Sequence, residues 1–189
     1  MSAPLSTEAT RRRLSGKQAE TVDRLTKAAV EVLTREGYAG TTMRLIAAEA
    51  GVGTATAYTY FSSKEHLLAE VYWRRLAAMT PVELPDADGI TRAIAALGQA
   101  AMLLADEPAL AAAMSQALLG DDPDVAHLRL RIGGELRTRL TEALGADNAQ
   151  DLECLEMLYS GAMLQAGMGH LTYAEVADRL EKCARRLLG

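Results

Sequence analysis

The chain has 189 residues, 49% hydrophobic and 24% charged, which allows a buried core and excludes an intrinsically disordered protein. The net charge of −5 is unevenly distributed along the chain. Residues 1–75 contain 11 Lys/Arg and 8 Asp/Glu, whereas residues 76–189 contain 9 Lys/Arg and 17 Asp/Glu. No apolar signal-peptide core begins the sequence, and the central uncharged run at residues 93–105 is too short to span a bilayer. We therefore expect a cytoplasmic protein without membrane contact, and the basic first part fits a DNA-binding domain.

The first 62 residues contain the signals of three helices. Residues 1–14 are predicted to be a flexible basic arm, and a helix with apolar residues at helical spacing follows from near Gly16 to Gly37. A second helix is predicted at residues 43–50, after threonine N-cap candidates, and a third at residues 54–61. Gly51 permits a tight turn between these two short helices. The pattern is that of a helix-turn-helix, whose second helix enters the major groove of DNA.

Six further helices are predicted after residue 62. A capping box at Ser62 and Glu65 opens the fourth helix, which runs to about Met79. The remaining five are expected at residues 90–105, 108–119, 123–144, 149–169 and 172–188. No segment of useful length alternates with the period of a strand. The predicted fold is therefore all-α with about nine helices, comprising a DNA-binding head at residues 15–62 and a helical body at residues 63–189.

Two strings in the head resemble the tetracycline-repressor (TetR) family. They are TTMRLIAAEAGV from Thr41 and YTYFSSKEHLL from Tyr58, and the resemblance covers roughly residues 17–70. It implies a DNA-binding transcriptional regulator, and threonine hydroxyls and methyls suit phosphates, base edges and thymine methyl groups. The positions that the resemblance places on DNA are Thr41, Thr42, Arg44, Thr54, Thr56, Tyr58, Thr59, Tyr60 and Lys64.

The body is predicted to form a homodimer. No charged residue occurs from Met157 to Leu171, so the eighth helix is apolar nearly all round and is expected to face both the core and a second subunit. The last helix is its expected neighbour in the interface, and the family resemblance likewise implies a four-helix dimer interface. A dimer presents two heads to a palindromic operator.

The body is also predicted to hold a small apolar effector. Methionine and alanine largely replace aromatic residues there, which makes a core that is easily hollowed. Plain core packing is an equally acceptable interpretation of each methionine. The candidate ligand-binding residues are Trp73, Met79, Met102, Met114, Gln116, Met163 and Gln165. By resemblance, the effector would shift the fourth helix and release the DNA, so that the protein is a ligand-responsive repressor.

The sequence also bears on other functions. The three histidines and two cysteines are scattered without the spacing of a metal site or a catalytic nucleophile, so we expect no enzyme, no metal and no cofactor. An adaptor that uses the helix-turn-helix for protein contact stays open, because the first 75 residues have a net charge of only +3. A transcriptional activator of the same fold also stays open, because the sequence does not show where the operator lies.

Overall fold

The computed structural model describes residues 16–145 and 148–189, and these form nine helices and no strand. The all-α prediction is therefore confirmed, whereas the predicted basic arm at residues 1–14 lies outside the described residues. The helices are α1 (Gly16–Gly40), α2 (Met43–Glu49), α3 (Thr54–Tyr60), α4 (Lys64–Ala78), α5 (Gly89–Met102), α6 (Pro108–Leu118), α7 (Pro123–Leu144), α8 (Ala149–Gly167) and α9 (Tyr173–Leu188).

The head consists of α1, α2 and α3 around a small apolar core. Leu25, Leu33, Ile46 and Phe61 are fully buried in it. Gly37 interrupts the helical geometry of α1 with a φ of 69°, at the residue where the sequence predicted the helix to end. One further turn then leads to α2. The three helices thus form a compact unit in which α3 lies at the surface.

The helix α4 joins the head to the body. Nine of its 15 residues are buried, because it packs against α1, α6 and α7. Its carboxyl end is held by Arg139 of α7, which donates hydrogen bonds to the carbonyl oxygens of Leu76 and Met79, each at 2.9 Å. Arg75 forms a bidentate pair with Glu107, the residue that precedes α6. A movement of α6 or α7 would therefore act on α4 directly.

The body is a bundle in which α5 packs against α7 and α9, and α8 packs against α6, α7 and α9. The helices α6 and α8 approach each other very closely, since a Cβ at Gly167 would overlap the side chain of Ser115. Within the described ranges, no helix is both long and apolar enough to cross a membrane.

Candidate nucleic-acid interface

The turn between α2 and α3 is built by local hydrogen bonds. Thr42 caps α2, and its hydroxyl accepts a hydrogen bond from the amide of Leu45 at 3.3 Å. At the other end, Arg24 of α1 donates to the carbonyl oxygen of Ala50 at 3.2 Å. Gly51 then adopts a φ of 64°, which L side chains rarely tolerate and which allows the chain to reverse within a few residues. These contacts fix the angle at which α3 leaves α2.

The helix α3 has one buried and one exposed face. Ala57 is fully buried and Tyr60 is 7% exposed, so these two residues attach the helix to the head. Tyr58 is 48% exposed. The exposed residues of α3 are Thr54, Ala55, Thr56, Tyr58 and Thr59. Because they include three threonines and one tyrosine, this surface offers hydroxyl and methyl groups and no charge, as the sequence predicted.

Three predicted DNA-binding residues have other roles in this structure. Thr41 is only 1% exposed, and its hydroxyl donates to the carbonyl oxygen of Gly37 at 2.7 Å, so it supports the end of α1 and does not face solvent. The ring of Tyr60 is buried because it attaches α3 to the head. Lys64 donates to the carbonyl oxygen of Tyr38 at 2.8 Å, and its ammonium lies 4.1 Å from the centre of the Tyr38 ring.

The two remaining predicted residues, Thr42 and Arg44, are exposed on α2. They lie at and just after the start of this helix, on the same head as the exposed face of α3. The structure thus leaves six predicted residues on the surface of the helix-turn-helix: Thr42, Arg44, Thr54, Thr56, Tyr58 and Thr59.

Sequence reasoning missed a contact between the head and the body. Ser62 and Ser63, between α3 and α4, both donate hydrogen bonds to the same carboxylate oxygen of Asp122, at 2.8 and 2.5 Å. Burial alone would raise the pKa of the Asp122 carboxyl. The hydrogen bonds from Ser63, Ser62 and the amide of Asp124 together have the larger effect, so the pKa lies below its ordinary value. The residues are about sixty positions apart, so no local pattern in the sequence indicates that they meet.

The seven predicted ligand-binding residues do not line a common cavity. Met102, Gln116 and Gln165 are exposed in this structure and do not face an enclosed cavity. Gln116 points outward because the opposite face of α6 is the one that packs. Met114 is buried, whereas Met79 and Met163 are half-buried. Trp73 is also buried, and the guanidinium of Arg131 lies over its ring, 4.5 Å from the ring centre.

Two other features of the body bear on ligand binding. A cavity of about 130 Å³ lies between the segment after α4 and helices α5 and α7, lined in part by Arg92, Gln99 and Arg139. Deeper in the core, the hydroxyls of Tyr72 and Tyr159 lie 3.3 Å apart, and burial raises the pKa of both phenols. This cavity is smaller than the 300–1,000 Å³ typical of ligand sites, so a drug-sized ligand would fit it only if it widened. A larger and more open groove of about 390 Å³ lies between α5 and α9, with Gln99 and Met102 in its lining.

Similarities to known proteins agree with the geometry of the head. The profile of the family "Bacterial regulatory proteins, tetR family" matches residues 25–71. An HTH-type transcriptional regulator of Mycobacterium tuberculosis is 44% identical over 170 residues, which cover 87% of this chain and 78% of that protein. The HTH-type transcriptional repressor KstR of Rhodococcus jostii is 28% identical over 93% of this chain and 86% of its own length.

Solved structures share the whole fold. A TetR transcriptional regulator from Rhodococcus superposes with a TM-score of 0.74 at 24% identity, covering 92% of this chain and 98% of that one. The regulator FadR of Bacillus subtilis, solved with stearoyl-CoA, has a TM-score of 0.58 at 18% identity, covering 86% and 96%. The relatives are named as transcriptional regulators, in agreement with the interpretation that the chain is not an enzyme. The chain therefore belongs to the TetR family of DNA-binding transcriptional regulators.

Proposed function

We propose that this protein is a homodimeric repressor that reads a palindromic operator with α3 in the major groove and leaves it when a small apolar effector binds the body. The observation that carries the proposal is the exposed face of α3, with Thr54, Thr56, Tyr58 and Thr59 at the surface and its opposite face fixed in the head. Hydroxyls on such a face suit phosphates and base edges, and threonine methyls suit thymine.

Contacts with the DNA backbone are proposed for α2 and the start of α4. The hydroxyl of Thr42 and the guanidinium of Arg44 are exposed beside the turn and suit phosphate oxygens. Lys64 contributes as well, because its ammonium has three N–H donors and its bond to Tyr38 uses one of them. Phosphate contacts of this kind make binding fall steeply with salt concentration.

A second copy of the chain is proposed to cover the outer face of α8. Met157 is 72% exposed, and Leu164 and Met168 follow it on the same face, with Ser160 and Gly161 between them. Leu130, on neighbouring α7, is 76% exposed. By contrast, the exposed residues of α9 are mostly charged, so we place α8 at the centre of the interface and α9 at its edge.

The DNA contact is tested with a matched pair of threonines. Thr59 of α3 and Thr34 of α1 are both exposed, and each hydroxyl donates to the carbonyl oxygen four residues earlier. An operator is first selected from a random duplex library with the wild-type protein. We expect Thr59→Ala to weaken binding to that duplex by about fivefold or more, as loss of a base contact does, and Thr34→Ala to leave it unchanged. Equal affinities for all three proteins would contradict the placement of α3 on DNA.

Native mass spectrometry of the purified protein tests the dimer, and the melting temperature with added ligands tests the effector. The charge-poor helices α5 and α6 and the likeness to a regulator solved with stearoyl-CoA support an acyl-chain or other apolar ligand. We expect a dimer mass, and an increase in melting temperature with acyl-CoA thioesters that free CoA does not produce. A monomer would contradict the dimer, and stabilisation by free CoA or polar metabolites alone would contradict the apolar effector.

A further inference from the structure

Asp122 belongs to the body by sequence, but its carboxylate contacts the segment that ends the recognition helix. Ser62 follows Phe61, the C-cap of α3, and Ser63 is the N-cap of α4. Both serine hydroxyls donate to Oδ2 of Asp122, while Oδ1 accepts the amide of Asp124 at 2.8 Å and so caps α7. One carboxylate therefore joins the end of α3, the start of α4 and the start of α7.

A second set of contacts fixes the same segment from within. The amide of Ser62 donates to Nδ1 of His66 at 3.2 Å, and the ring of His66 is 1% exposed and packs edge-on against Phe61. Since Phe61 is fully buried in the core of the head, the backbone at residues 61–63 has little freedom to move alone. A displacement of Asp122 would move this segment together with the end of α3.

The same group of residues does not have the geometry of a catalytic triad. The hydroxyl of Ser62 lies 3.1 Å from Nδ1 of His66, and the carboxylate of Asp124 lies 3.7 Å from that same nitrogen. A relay of the serine–histidine–aspartate kind uses the two different ring nitrogens. The arrangement therefore acts on conformation and not on bond making.

We propose that Asp122 is a positioning residue for DNA recognition: through Ser62 and Ser63 it fixes the carboxyl end of α3, so that the body sets the orientation of the recognition helix. The hydrogen bonds are charge-assisted and therefore stronger than neutral ones. The inference rests on the proposed DNA-binding function, and it adds a residue of the body to the machinery of the head. A displacement of the loop between α6 and α7 would be transmitted to α3 by this carboxylate.

The test compares three carboxylates, each replaced by alanine. Asp122→Ala removes both the cap of α7 and the contact with the head. Asp88→Ala removes a comparable cap, because Asp88 accepts the amide of Thr91 at 2.7 Å at the start of α5. Asp121→Ala removes a negative charge from the same loop, at an exposed residue. Ser62→Ala, which removes one of the two serine contacts, and the conservative Asp122→Asn complete the set.

The first readout is amide hydrogen exchange of residues 54–60 in the free protein. We expect exchange about fivefold faster or more in Asp122→Ala, a smaller increase in Ser62→Ala and Asp122→Asn, and no change in Asp88→Ala or Asp121→Ala. If Asp122→Ala does not fold, Ser62→Ala decides the outcome. Unchanged exchange in α3, or an equal increase in the Asp88 variant, would overturn the proposal.

The second readout is affinity for the selected operator duplex. Loss of a negative charge near DNA strengthens binding by electrostatics alone, so Asp121→Ala is expected to bind equally or slightly more tightly. Asp122→Ala is expected to bind about fivefold more weakly despite the same loss of charge. Faster exchange with unchanged affinity would overturn the role in recognition. A wild-type protein that selects no DNA would refute the proposed function, whereas the exchange result would still decide whether Asp122 fixes α3.

Discussion

Gly51 shows how one residue sets the geometry of the head. Its φ of 64° places it in the left-handed region, and its position after α2 determines where α3 begins. An L side chain in this region costs about 1–2 kcal/mol. The nearest group to a Cβ built at Gly51 is the guanidinium of Arg24, at 3.9 Å, so the cost is conformational and not steric.

We therefore expect Gly51→Ala to lower the free energy of unfolding by about 1–2 kcal/mol. Gly98 provides the control, because it lies inside α5 with no atom within 4 Å of a built Cβ. There, Gly98→Ala should raise the free energy of unfolding by about 0.5–1 kcal/mol, since alanine favours the helix. Urea unfolding followed by circular dichroism measures both. A stabilised Gly51→Ala protein would contradict the assigned turn.

At the scale of elements, one buried side chain of α7 holds the carboxyl end of α4. Arg139 is 9% exposed, pairs with Glu135 and donates to two carbonyl oxygens at the end of α4. The neighbouring Arg137 forms a more exposed salt bridge with Glu156 of α8 at 2.7 Å. The two arginines occupy the same helix two residues apart, but only Arg139 satisfies buried backbone groups.

Replacement of each arginine by methionine should separate these roles. Arg139→Met removes the side-chain donor to the carbonyl oxygens of Leu76 and Met79 and the partner of Glu135, and should lower the free energy of unfolding by about 1–3 kcal/mol. Arg137→Met removes an exposed pair, which contributes about 0–1 kcal/mol. Chemical denaturation of both variants measures the difference. Equal losses of stability would show that Arg139 does not hold the end of α4 in solution.

At the scale of the whole molecule, much of the architecture could be predicted from sequence because it depends on local signals. The caps at Thr42 and Thr172 and the breaks at Gly37 and Gly51 mark where helices begin and end, and the nine described helices follow them closely. The predicted capping box at Ser62 and Glu65 is wrong by one residue, because Ser63 caps α4 by accepting the amide of His66 and the hydroxyl of Ser62 donates to Asp122. The helix predicted to end at residue 105 ends at Met102, because residues 103–106 form a turn before α6.

The directions of individual side chains could not be predicted in the same way. A helix of seven residues such as α3 makes only two turns, too few for its sequence to show that Tyr60 packs inward and Tyr58 outward. In the body, Met102 and Gln116 occupy helices with few charged residues, so hydropathy does not mark their outer faces. The contact of Asp122 with Ser62 depends on tertiary packing and leaves no pattern in either segment.

Two copies of this head are proposed to bind two half-sites of one operator. This arrangement is tested most directly by the salt dependence of affinity for the selected palindrome and for a duplex that contains one half-site beside random sequence. Each phosphate contact adds to the slope of log Kd against log salt concentration. We therefore expect the slope on the palindrome to be roughly twice that on the half-site duplex, and binding to the palindrome to be at least about tenfold tighter. Equal slopes and affinities on both duplexes would contradict the dimeric reader, and binding without salt dependence would contradict DNA recognition by this surface.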